Sequence, residues 1–137
     1  MPEHTAIAPL GADESYFFVY GTLRKGDHND ITQLMPAPRF IGPARIKGGM
    51  AHLGRYPGVT LGGSGDIVGE VYVVSRELEQ CIDAIESEYP VHADEYAKRE
   101  ITVVVQGHNL LCYVYEINPV YVVGKPVIAS GDWVKDR

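Results

Sequence analysis

The sequence predicts an α+β fold, a mixed, strongly curved sheet or small β-barrel with one main helix packed against it. Three observations carry this. Several short runs are dense in β-branched and aromatic residues, only one segment keeps a helical period, and prolines and glycines interrupt the chain between Arg24 and Gly65. With 137 residues, 45% of them hydrophobic, there is material for one core. The expected organisation is a flexible leader over residues 1–15 and a single domain over residues 16–137.

The leader is assigned because Met1–Ser15 carries Pro2, Pro9 and Gly11 among small and polar residues with no apolar period. Tyr16–Tyr20 (YFFVY), ended by Gly21, reads as the first strand feeding a tight turn. Arg39–Ile46 and Met50–Leu53 read as strands in the proline-broken region, and Gly62–Gly69 (GGSGDIVG) as a hairpin turn. Ile67–Val74 (IVGEVYVV), Ile101–Val105 (ITVVV) and Leu110–Ile117 (LLCYVYEI) are the clearest strands, the last two joined by a turn at Gln106–Asn109. In the helix Ser75 serves as N-cap and Glu77 and Glu79 suit the first turn. Leu78, Ile82, Ile85 and Tyr89 fall on one arc, and Pro90 ends the element.

Composition removes several classes of function. Twelve Lys plus Arg against eighteen Asp plus Glu give a net charge of −6 with the cations scattered, which argues against a nucleic-acid partner. No apolar run approaches the roughly 20 residues that span a bilayer, and the first residues lack the pattern of a signal peptide. A cytoplasmic protein without a membrane partner is expected. Cys81 and Cys112 lack metal-site or disulfide spacing and read as buried thiols. The five histidines include no helical i, i+4 pair, so no metal is expected. Gly62–Gly69 has neither the spacing nor the following helix of a dinucleotide loop, and Gly21–Gly26 (GTLRKG) lacks the phosphate-loop spacing. No heptad or large apolar stripe points to an oligomer interface.

Two local features remain. At Tyr20-Gly21-Thr22-Leu23 a strand turns sharply at glycine, which frees successive backbone N–H groups to form a small concave anion site fit for a carboxylate. Arg24 and Lys25 follow and read as a solvated pair of cations. In the helix, Glu86 lies roughly 80° off the apolar arc, at the border of core and solvent. Glu79 and Glu88 fall at similar angles, so geometry alone leaves the three open. Tyr96, just before a strand, either points its hydroxyl at the same place or packs. No Ser or Cys sits in a nucleophile-elbow context.

In order along the chain, these pieces resemble the γ-glutamylcyclotransferase-like family, most closely its γ-glutamylamine cyclotransferase branch. The matching residues are Phe18-Val19-Tyr20-Gly21-Thr22-Leu23-Arg24-Lys25-Gly26 with Asn29, Tyr56-Pro57, and Gly63-Ser64-Gly65 before Val68-Gly69-Glu70-Val71-Tyr72. Ile82-Asp83-Ala84-Ile85-Glu86-Ser87 followed by Tyr96 completes them. The resemblance implies the family's fold and a cofactor-independent reaction. In it the α-amine of a γ-glutamyl compound attacks that molecule's own γ-carbonyl, closing 5-oxoproline and expelling the amine. It further implies that the loop Tyr20, Gly21, Thr22 and Leu23 holds the substrate's carboxylate end through its backbone. Glu86 becomes the catalytic acid/base, which breaks the tie among the glutamates, and Tyr96 borders the substrate.

The stretch Glu88–Glu95 is longer than in some members, and with Tyr56-Pro57-Gly58 it is expected to wall the leaving-group side. Two rivals stand beside this reading: a non-catalytic module binding a small acidic molecule, and a cyclotransferase that removes a γ-glutamyl group from a biosynthetic intermediate.

Overall fold

The computed structural model describes residues 7–137; the first six residues of the expected leader lie outside them. Five strands make one mixed sheet in the order β2-β3-β1-β5-β4. The first strand, β1 (Glu14–Val19), begins two residues before Tyr16, inside the expected leader, and its ladder stops at Val19, one residue before Tyr20. It is central, paired antiparallel to β3 and parallel to β5. That position suits its apolar sequence, because a central strand is covered on both faces.

The next two strands form one long hairpin, β2 (Arg39–His52) with β3 (Pro57–Ser75), turning at Leu53–Tyr56. The two strands expected at Arg39–Ile46 and Met50–Leu53 are therefore one strand. A register shift at Lys47/Gly48 bends it without ending it. The expected hairpin turn at Gly62–Gly69 is corrected by the same shift. Leu61 pairs with Gly48 and Asp66 with Lys47, so residues 62–65 bulge out of a continuous β3.

The second hairpin joins β4 (Tyr96–Val105) to β5 (His108–Ile117). Gln106 and Gly107 both take positive φ, 52° and 82°, the backbone that a two-residue turn matched to strand twist requires. The sheet curls until Gln106 Nε2 reaches Ile41 O at 3.5 Å, yet among the described residues β2 and β4 share no ladder. Of the two expected forms, the strongly curved open sheet is the one found, and the closed barrel is not.

The alternation of β1 divides the core. Tyr16 and Phe18 join Ile46, Val59, Val103, Val114 and Trp133 inside the curl, while Phe17 and Val19 face α1 (Arg76–Glu88). Ser75 Oγ accepts from Leu78 N at 3.2 Å and starts the helix at the expected residue. Leu78 and Ile82 are fully buried against Tyr72, Val74 and Phe17, with Ile85 partly buried beside them. Each fully buried aliphatic side chain contributes about 1.5–3 kcal/mol, so this stripe fixes the helix on the sheet and thereby orients its last turn. A short helix α2 (Trp133–Asp136) closes the chain.

Among the described residues no helix is long and apolar enough to cross a membrane, and no cluster of three His, Cys, Asp or Glu is arranged for a metal ion. Cys112 is buried as expected; Cys81 is exposed on the outer face of α1, which corrects the expectation of two buried thiols.

Candidate functional site

Gly21 turns the chain out of β1 directly against Pro57. A Cβ at this glycine would lie 2.8 Å from Pro57 Cγ, so no other residue fits without moving the β3 entry. The segment that follows is fixed from behind. Asn29 donates its main-chain N–H to Thr22 O at 2.9 Å and its Nδ2 to Thr22 Oγ1 at 3.0 Å, and Ile31 N donates to Leu23 O at 2.9 Å. The carbonyls are thus occupied, whereas the N–H groups of Gly21, Thr22 and Leu23 form no hydrogen bond among the described residues. These residues line a cavity, and a row of unbonded donors in such a place is suited to an anion.

Arg24 is not solvated, contrary to expectation. Its side chain is 12% exposed and bridges Glu70 at 2.7 Å and Asp132 at 2.8 Å. Glu70 also receives Lys25 N at 3.2 Å and the Tyr72 hydroxyl at 3.2 Å. This cation holds the far side of the loop instead of facing the cavity.

Tyr20, Gly21, Thr22, Leu23, Glu86 and Tyr96 all line one pocket of roughly 450 Å³, open mouth included. The sheet supplies the first four from the end of β1, α1 supplies Glu86 from its last turn, and Tyr96 opens β4. Helix geometry left three glutamates equivalent, and the structure separates them. Glu79 pairs with Lys98, Glu88 is exposed, and only Glu86 borders the cavity. Tyr56, Pro57, Tyr89 and Pro90 also line it, with Ile85 and Tyr115. Gly58, expected with Tyr56 and Pro57, is not among them.

Burial pushes the Glu86 carboxyl up to about 8, with the Asp83 charge one turn earlier adding to the effect. No partner offsets this, since Glu86 makes no hydrogen bond or ion pair among the described residues. The neighbouring tyrosines could have donated to it, but each is committed elsewhere. The Tyr20 hydroxyl donates to Tyr115 O at 2.6 Å, Tyr96 to Pro57 O at 2.5 Å, and Tyr115 to the Asp83 carboxylate. Tyr56 donates to Glu95 at 2.9 Å. Burial holds the Tyr20, Tyr96 and Tyr115 hydroxyls well above the usual phenol value, with the charge of Glu86 adding to each. They remain neutral, and among the described residues Glu86 is the one carboxyl that lines the pocket, with its lone pairs open.

Two contributors escaped the sequence reading. Tyr115 comes from the middle of the sheet, and only the parallel pairing of β1 with β5 brings it beneath Tyr20. Glu95, 3% exposed, accepts from Tyr56 and from His92 N at 2.7 Å and so folds the loop that follows α1. A lone acidic residue in a charged loop gives no sequence signal of burial.

The chain is similar to known proteins in sequence and fold. The family model described as gamma-glutamyl cyclotransferase, AIG2-like, matches residues 17–135. A Methanocaldococcus jannaschii protein provisionally named gamma-glutamylcyclotransferase is 32% identical over 103 residues, covering 73% of this chain and 82% of that one. YkqA from Bacillus subtilis superposes with a TM-score of 0.68 at 28% identity over 89% of this chain, which spans 40% of that longer protein. A mouse AIG2-like protein gives a TM-score of 0.70 at 24% identity, covering 87% of this chain and 88% of that one, a likeness of fold alone. With the family model covering both the glycine loop and the helix that carries Glu86, this chain belongs to the AIG2-like gamma-glutamyl cyclotransferase family.

Proposed function

We propose that the protein is a cofactor-independent γ-glutamyl cyclotransferase that converts a γ-glutamyl amine into 5-oxoproline and the free amine. The observation that carries the reading is that two complementary groups line one pocket: the unbonded N–H row of Gly21–Leu23 and the unpartnered carboxyl of Glu86. In this reading the row holds the α-carboxylate and brings the α-amine within about 3–3.5 Å of the γ-carbonyl. The nucleophile belongs to the substrate, so an activated side chain is not required.

The substrate arrives as an ammonium and must lose a proton before it can attack. Glu86, pushed up to about 8 by burial, ionises more readily once that cation is beside it. Its carboxylate takes the ammonium proton, the amine nitrogen bonds to the γ-carbon, and charge develops on the carbonyl oxygen next to the loop amides. Glu86 then returns its proton to the departing nitrogen as the old C–N bond breaks. The Glu86 carboxylate, ionised again, takes the second proton from the new ring nitrogen and passes it to the released amine, which leaves as its ammonium beside neutral lactam. A proton shuttle of this kind accelerates a step by about 10²–10⁴-fold.

The test is to incubate the purified protein with a panel of γ-glutamyl compounds that differ only in the amine and to assay 5-oxoproline. Release that stops with Glu86→Gln supports the reading. A protein that binds these compounds without releasing 5-oxoproline is the acidic-ligand module instead.

A further inference from the structure

Tyr89 has two sides. One borders the pocket of Glu86; the other borders a groove of about 710 Å³ that runs towards α2. Arg55 lies along this second side with its guanidinium carbon 4.5 Å from the Tyr89 ring centre, and His28 approaches the same ring at 5.4 Å. Further along, His52 packs on Trp133 at 4.9 Å.

The charges in the groove are unequal in availability. Asp27, its acidic group, is consumed: Trp133 Nε1 donates to it at 2.6 Å and Arg137 pairs with its other oxygen. Arg55 makes no ion pair among the described residues. Its aromatic stacking fixes the plane of the guanidinium and leaves the N–H fork unused.

We propose that this groove is the subsite for the expelled amine and that Arg55 selects amines bearing a carboxylate. The inference rests on the cyclotransferase reading, which fixes the γ-glutamyl half between Gly21–Leu23 and Glu86 and sends the other half of the molecule past the tyrosine wall. The pocket itself has no Lys or Arg in its lining, and the whole chain carries a net charge of −6. Attraction of a second anionic group therefore has to come from a local cation, and of the two arginines among the described residues that line the groove, Arg137 is paired with Asp27 and Arg55 is not. A leaving group of two residues extends by about 7 Å, enough to pass a tyrosine ring.

The experiment compares γ-glutamylglycylglycine with its C-terminal amide, which has the same shape without the terminal charge. Turnover is followed with the wild-type chain, and binding by calorimetry with Glu86→Gln. The expected preference for the acid is about 5- to 20-fold in kcat/KM, carried by KM, as for a charge-assisted contact at a partly exposed site. The preference falls to near unity in Arg55→Met and returns in part in Arg55→Lys. A wild-type chain that treats acid and amide alike, or a preference untouched by Arg55→Met, overturns the assignment while leaving the cyclotransferase reading standing. Arg55-dependent binding of the acid without 5-oxoproline from either compound overturns the reaction and keeps the groove as an anion site.

Discussion

Glu86 and Glu95 stand on either side of one tyrosine wall and differ in what touches them. Glu95 lies at the bottom of the loop after α1, where the Tyr56 hydroxyl and the His92 amide satisfy it and its own main chain accepts from Asn118 N at 2.6 Å. Glu86 lies at the helix end with its ionised form disfavoured by burial and by Asp83, and no donor comes to it. Glu95 is withdrawn from water at 3% exposed, and Glu86 is half-buried at the edge of the pocket. One is spent on holding a loop, and the other keeps its lone pairs for whatever enters the pocket. Burial by itself therefore says little about chemistry; the unmet hydrogen-bonding capacity separates a structural carboxylate from a reactive one.

The sharpest way to break this comparison is to exchange each carboxylate for its amide. Glu86→Gln is expected to lower kcat by 10²-fold or more while substrate affinity, measured by calorimetry, stays within a few-fold. Glu95→Gln is expected to act in the opposite way. It leaves the pH profile of kcat unchanged but costs about 1–3 kcal/mol in denaturant unfolding, because an amide cannot accept at both positions. A kcat loss in Glu95→Gln that matched the loss in Glu86→Gln would erase the distinction.

Gly21→Ala probes the loop that shares the pocket with Glu86. The added methyl group meets the Pro57 ring, so the loop must shift and the donor row with it. A rise in KM of about 10-fold is expected from a displacement of this size, with the Glu86 limb of the pH profile preserved.

A further expected effect concerns stability. A carboxyl whose folded value is raised from 4.5 to about 8 favours folding fully below the unfolded value. It loses that contribution as pH rises through the folded one. Wild-type stability is thus expected to fall between roughly pH 5 and 9, and Glu86→Gln to flatten that slope. Parallel unfolding curves for the two proteins across this range would show that Glu86 is not desolvated.

Much of this was legible in the sequence, for physical reasons that differ by element. Helix α1 was readable because Ser75, Leu78, Ile82 and Pro90 each state one rule of helix formation and all agree. Strands β1, β4 and β5 were readable from β-branched and aromatic density. The bulge at residues 62–65 was misread as a turn because glycines signal both, and only the partner strand shows that the ladder resumes at Asp66. Arg24 was misread because the acids that pair with it, Glu70 and Asp132, arrive from distant parts of the chain. At the site, the choice among Glu79, Glu86 and Glu88 depended on where Lys98 falls on β4, which no helical period can contain. The barrel was left open by the sequence since closure depends on whether β2 and β4 reach each other, a matter of accumulated twist.

The central claim is that Glu86 is a half-buried, unpartnered carboxyl poised to carry a proton. Its most direct test is a carbon-13 NMR titration of the glutamate side chains between pH 3 and 10, with the Glu86 signal assigned by its absence in Glu86→Gln. A midpoint near 8 is predicted; a midpoint near the ordinary glutamate value of about 4.3 would contradict the account.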